Sequence, residues 1–167
     1  MKKACQTINK NQSVDVSWTT PLGFQVTQKY RKQTSKRINI VSQALGLRMQ
    51  HTVQYSTPEV DVKAQATAIA PNYIHSMDAT HLSAVVSEMI DDGHDVQVIH
   101  DSFGTHLCDV DVLRSTIKRN LIDLYDGDLL SELKNTWENM YDVVLPDLPQ
   151  RGDYDTAELL EACYDFS

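Results

Sequence analysis

No apolar run in the 167-residue sequence approaches the ~20 residues that cross a bilayer, so no membrane partner is expected. Met1 to Thr7 lacks the apolar segment of a signal peptide. Cysteine is scarce. Cys5, Cys108 and Cys163 are odd in number, far apart and without metal-ligand spacing, which suits a reducing cytoplasm. There is no internal repeat, no low-complexity segment and no Gly-x-Ser-x-Gly elbow of a serine hydrolase. Acids are nearly missing from the first fifty residues, where Asp15 stands alone against nine Lys/Arg.

The remainder reverses that balance. Residues 51–167 carry six Lys/Arg and twenty-two acids, and the whole chain has net charge −8. The basic half suits phosphate, because cations against phosphate supply most nucleic-acid affinity; a solvated surface is the alternative. Its densest part is Lys29 to Arg37, with five cations and Tyr30. Arg31 and Lys32 offer charge and Tyr30 a stacking face, so these three are candidate nucleic-acid contacts; a basic surface loop remains open. The length suits one sizeable core.

The pattern predicts an α+β fold: a basic β-rich segment over 1–56, then helices over 57–167 around a central β-hairpin at 96–107. Val14–Trp18 alternates as a half-buried strand, Pro21–Gly23 turns, and Phe24–Gln28 is extended. Ile38–Tyr55 reads as one or two strands. Thr57-Pro58-Glu59 predicts a helix start, running to about Ile69 and broken by Pro71. The next helix spans about 72–91. Leu82, Val85, Val86, Met89 and Ile90 form its core stripe, which His75 and Asp78 continue. Gly93 closes it. Asp109 or Asp111 caps a helix to about Tyr125, with Leu113, Ile117, Leu121 and Leu124 inward. Asp128 caps another, with Leu129, Leu133, Trp137 and Met140 or Tyr141 inward. An extended loop over 145–153 leads to a short helix from about Thr156.

Chemistry concentrates at His100, Asp101 and Ser102, the tip of the predicted hairpin. A carboxylate there is a hard oxygen ligand on a rigid support, as Mg²⁺ requires. In a two-metal site it flanks ions that stabilise the attacking and leaving oxygens of phosphoryl transfer. The alternative is a turn-forming aspartate. A His-Asp metal phosphohydrolase places its dyad on a helix, whereas Val96–Ile99 reads as a strand. Adjacent His100, Asp101 and Ser102 do not make a catalytic triad. His75, Asp78 and His81 span an arc of about 120° on a helix, enough to face one metal. For His75 the better functional reading is contact with a base edge or sugar hydroxyl.

Ala70-Pro71-Asn72-Tyr73-Ile74-His75-Ser76-Met77-Asp78, with His81-Leu82, resembles a signature of the single-subunit DNA-directed RNA polymerases of bacteriophages and mitochondria. Ile99 to His106 resembles that family's third palm motif, and Tyr164 to Ser167 its aromatic tail. Trp18 to Phe24 and Gln28 to Lys32 fit the segment before the first signature. The resemblance implies the later palm and fingers of a right-hand polymerase. It implies that Asp101 binds the catalytic Mg²⁺ ions, that His100 shapes the site near the growing RNA end, and that His75 touches the template hybrid or incoming pair. It implies a tail, with Phe166 and Ser167, close to the active site. DNA template, RNA product and NTPs follow as partners, in the host cytoplasm for a phage-encoded chain. The family's first metal-binding aspartate and its fingers lysine and tyrosine are not recognisable, so the chain looks like the C-terminal fifth of a polymerase. It is expected to be inactive without the missing N-terminal polymerase portion. A non-catalytic nucleic-acid-binding remnant is the alternative.

Overall fold

The computed structural model describes residues 1–42, 46–156 and 158–162. The expected aromatic tail and Cys163 lie outside the described residues. The chain divides into two compact units, one of residues 1–16 and 27–69, the other of residues 17–26 and 70–167.

The first unit opens with helix α1 (Lys2–Gln12), absent from the sequence expectation. Its mostly polar composition hides a short stripe, Cys5, Ile8 and Asn9, which is buried. Ser13, with φ 31, ends it by donating its N–H to Asn9 O (3.2 Å). The stripe meets Gln65, which is wholly buried yet polar. Gln65 Oε1 accepts from Asn9 Nδ2 (3.2 Å), and its Nε2 donates to the carbonyls of Gln28 (3.2 Å) and Val14 (3.4 Å). Satisfied in this way, the amide avoids the penalty of a buried unpaired polar group.

Strands β3 (Arg31–Ser42) and β4 (Leu47–Val60) form an antiparallel ribbon. From Arg31 onward the basic stretch is therefore strand, not the surface loop left open as an alternative. Thr57-Pro58-Glu59 is strand as well, not a helix start. Thr57 Oγ1 donates to Lys32 O (3.0 Å), and Lys32 pairs with Glu59 (2.9 Å), so cross-strand bonds hold this segment extended. The register slips between Arg31 and Gln33, and such a bulge tolerates a proline that gives no ladder bond. The true cap of the next helix is Asp61, whose Oδ1 accepts from Ala64 N (2.9 Å).

That helix, α2, runs unbroken from Val62 to Asp91 with Pro71 inside it. An interior proline costs about 3 kcal/mol. Burial of Ile69, Tyr73, Met77 and Thr80 along one stripe offsets it. The observed stripe also corrects the expected one. His75 and Asp78 are exposed, and Ile90 is 60% exposed, while Val85 and Met89 are buried as expected. Gly93, with φ 82, ends α2: its N–H reaches Ile90 O (3.0 Å), and that of His94 reaches Met89 O (2.8 Å).

In the second unit, β1 (Ser17–Thr19) and β2 (Gln25–Thr27) pair across a turn at Gly23, although β2 ends one residue into the first unit. Trp18 is buried; its Nε1 donates to Ser76 Oγ (2.9 Å), and its ring tilts on Tyr73 with centroids 5.9 Å apart. Strands β5 (Val96–Ile99) and β6 (Ser102–Thr105) form the predicted central hairpin. A 3₁₀ turn (Leu107–Asp109) leads to α3 (Val110–Asp126), followed by α4 (Leu129–Tyr141) and α5 (Glu158–Glu161). Asp128 caps α4 as expected, accepting from Ser131 N (3.2 Å) and Ser131 Oγ (2.5 Å). On α4, Tyr141 rather than Met140 faces inward, accepting from Ser17 N (3.0 Å), and Trp137 Nε1 donates to Ser17 O (2.8 Å).

Candidate functional site

The β5–β6 hairpin is held on one face and at its base, leaving the tip free. Alternation turns Val96 and Val98 inward and Gln97 and Ile99 outward. Val96 and Phe103 pack on Val85 and Met89 of α2 and Leu113 of α3, with Val112 and Ile117 beside them. At the base, His94 Nδ1 lies 3.1 Å from Asp109 Oδ1, and Thr105 Oγ1 donates to Asp95 O (2.6 Å). Val98 pairs with Phe103 and Ile99 with Ser102, so His100 and Asp101 form a two-residue loop. His100 adopts φ 57, a conformation that costs a non-glycine residue about 1–2 kcal/mol. Asp101 is exposed and has no hydrogen-bond or ion-pair partner among the described residues.

His75 belongs to the same unit and stands on the exposed side of α2. The trio His75, Asp78 and His81 does not converge. His81 turns inward, its Nε2 2.9 Å from Ile117 O, while the other two face solvent. Among the described residues, no group of three or more His, Cys, Asp or Glu is placed to hold a metal ion. Asp101 offers a single exposed carboxylate, where Mg²⁺ is usually held by one or two carboxylates with water and phosphate oxygens.

Tyr30, Arg31 and Lys32 lie in the other unit. Arg31 is engaged with Asp15 through both guanidinium nitrogens. The Lys32–Glu59 pair is exposed and exchangeable with solvent. It raises the Lys32 pKa and lowers that of Glu59, in each case mainly through their hydrogen bond. Beyond the bulge, the ribbon has two unlike faces. Gln33, Ser35, Arg37 and Asn39 pair with Ser56, Gln54, Thr52 and Gln50; Thr34, Lys36, Ile38 and Ile40 pair with Tyr55, Val53, His51 and Met49. One face is therefore amide-rich and basic, the other largely apolar, and both are exposed. The charge run announced cations but not this division, which depends on register.

The sequence reading also missed a cavity of about 830 Å³ in the second unit, lined by Tyr73, Met77, Tyr125, Leu129, Leu148 and Tyr154 among others. Its only signal was Tyr73 and Met77 four residues apart on α2. Burial pushes the Tyr73 phenol up to about 12, aided by Tyr125 and Glu132 nearby. Among the described residues, no helix is long and apolar enough to cross a membrane.

The second unit thus presents an exposed carboxylate at a hairpin tip and an exposed histidine on α2, and the first unit carries a basic ribbon. Comparison with known proteins gives these features a family. The pattern of the DNA-dependent RNA polymerase family matches residues 1–145. The chain is 37% identical over 164 residues to the mitochondrial DNA-directed RNA polymerase 1B of Nicotiana tabacum, covering 98% of this chain and 16% of that protein. Identity is also 37% with DNA-directed RNA polymerase 2A of Nicotiana tabacum, over 48% of its length. It is 35% with the mitochondrial DNA-directed RNA polymerase 1 of Arabidopsis thaliana, over 16% of its length. The chain belongs to the DNA-dependent RNA polymerase family. It spans less than half the length of each of these relatives.

Proposed function

We propose that this chain is the part of a DNA-directed RNA polymerase that presents Asp101 to catalytic Mg²⁺, forming the later palm and fingers of a right-hand polymerase. It works with polymerase polypeptide beyond these 167 residues. The observation that carries this reading is an exposed, unpartnered Asp101 at the tip of a hairpin anchored on two helices, in a chain 35–37% identical to named RNA polymerases.

The bound ions would stabilise the attacking and leaving oxygens of nucleotidyl transfer from NTPs. Asp101 supplies one carboxylate to them, and at least one more comes from outside the described residues. His100 braces the tip beside the growing RNA end. His75, an exposed ring with a donor and an acceptor, meets the groove of the template hybrid. The amide-rich face of the β3–β4 ribbon suits a nucleic-acid groove, with Arg37 and Arg48 as its cations. Tyr30 and Lys32 contribute at the ribbon's root, and Arg31 fixes that root through Asp15.

A non-catalytic nucleic-acid-binding remnant is the second reading, favoured by the lack of a metal-binding cluster among the described residues. One experiment separates the two. The chain is mixed with the polymerase portion that precedes this segment in the family, and template-directed NTP incorporation is followed. Synthesis that Asp101→Asn abolishes supports the catalytic reading. No synthesis from the mixture, with nucleic-acid binding retained, supports the remnant. Incorporation by the 167-residue chain alone contradicts the requirement for a second portion.

A further inference from the structure

We infer that His81 is a positioning residue for Asp101, a ring on α2 that ties the inner face of the β5–β6 hairpin to α3. The inference rests on the reading of Asp101 as a metal-binding carboxylate.

What holds the inner face of the hairpin is mostly apolar packing. Val96 and Phe103 lie on Val85, Met89 and Leu113. Such contacts are non-directional and leave a two-stranded ribbon free to slide or tilt by small amounts. His81 lies one helical turn before Val85 and adds two directional contacts. Its Nε2 lies 2.9 Å from Ile117 O on α3. A carbonyl oxygen only accepts, so Nε2 carries the proton and the bond selects that tautomer. Its ring stands edge-on to Phe103, with centroids 6.3 Å apart and planes at 75°. Phe103 is two residues beyond Asp101 and pairs with Val98 across the ladder.

His81 therefore couples three elements at the layer next to the tip. Ile117 also belongs to the α3 backbone ladder, so losing the His81 bond leaves α3 formed. What is lost is a restraint on where Phe103, and hence Asp101, stands. Misplacement of a catalytic group by ~1 Å can cost on the order of 100-fold in rate.

Two measurements test this. In the 167-residue chain, ¹⁵N chemical shifts of the His81 ring should report an Nε2–H tautomer; an unprotonated Nε2 overturns the inference. In the reconstituted polymerase, His81→Leu should lower kcat by roughly 10- to 100-fold while KM for NTPs stays within about twofold. His81→Gln, whose amide reaches the Nε2 position, should recover most of the loss, and the shorter His81→Asn should not. Wild-type kcat in His81→Leu, or equal recovery by Asn and Gln, overturns the positioning role. Asp101→Asn run in parallel separates the two ideas, because undiminished synthesis by that variant removes the metal reading itself.

Discussion

Arg31 holds Asp15 through both guanidinium nitrogens, with Nη2 2.6 Å from Oδ2 and Nη1 bonded to Oδ1. The hydrogen bonds from Arg31, more than its charge alone, keep the Asp15 carboxyl below the usual carboxylate range. A depressed carboxylate stabilises the fold fully above its unfolded value of about 3.9. That contribution disappears as pH falls through the lowered folded value. Asp15→Asn should therefore be less stable than wild type near neutral pH and flatter in its acid response. Urea midpoints from about pH 7 down to about pH 2 measure this. Parallel curves for the two proteins would remove Asp15 from the acid response.

The same pair changes which cations are available to phosphate. Arg37 and Arg48 have no ion-pair partner among the described residues, whereas Arg31 is occupied by Asp15. Arg37→Gln and Arg48→Gln should each reduce the salt dependence of duplex binding, by about 0.9 in the log–log slope per lost phosphate contact. Arg31→Gln should leave that slope unchanged and lower stability instead. Fluorescence anisotropy across a salt series decides, and a slope lowered by Arg31→Gln would contradict this assignment.

Tyr73 predicts behaviour at the alkaline end. Its hydroxyl donates to Leu129 O (3.4 Å), and burial is the main reason its pKa rises to about 12. An unfolded tyrosine ionises near 10. The folded chain thus holds this proton over a range where the unfolded chain releases it. Stability should be insensitive to Tyr73 below about pH 10 and fall between about 10 and about 12. Tyr73→Phe should soften that fall, read from denaturant midpoints; an unchanged alkaline curve counts against it.

Gly93 isolates a backbone cost. A Cβ built there meets nothing within 4 Å, yet φ is 82. Gly93→Ala should cost about 1–2 kcal/mol from conformation alone, lowering Tm by about 2–4 °C per kcal/mol. Calorimetry measures it, and an unshifted Tm would mean that the end of α2 relaxes freely.

Local chemistry made some features legible in advance. The Asp128 cap, the Gly93 stop, the hairpin with Asp101 at its tip and the inward face of α3 at Leu113 depend on near neighbours in sequence. The Thr57-Pro58-Glu59 signal was locally valid for a helix, but bonds from Lys32 across the ribbon outweighed it. Pro71 was a sound helix breaker until burial on both sides of it outweighed the lost bond. The phase of α2 was misread because counting back from Leu82 assumes a straight stripe with a uniform partner. Tyr73 instead packs on Trp18, far earlier in the chain. That rotation turned His75 and Asp78 outward and left His81, at the hairpin layer, facing in.

The sequence by itself determined the family resemblance and the tip carboxylate, because a motif is a run of adjacent residues and a turn needs few partners. Tertiary structure alone decided which histidine reaches solvent, which arginine is held by a carboxylate, and which ring packs edge-on to Phe103. These depend on contacts between residues well separated in sequence: Trp18 with Tyr73, His81 with Ile117 and Asp15 with Arg31. Periodicity states that a helix has a buried face; only the partner that covers it selects which face that is.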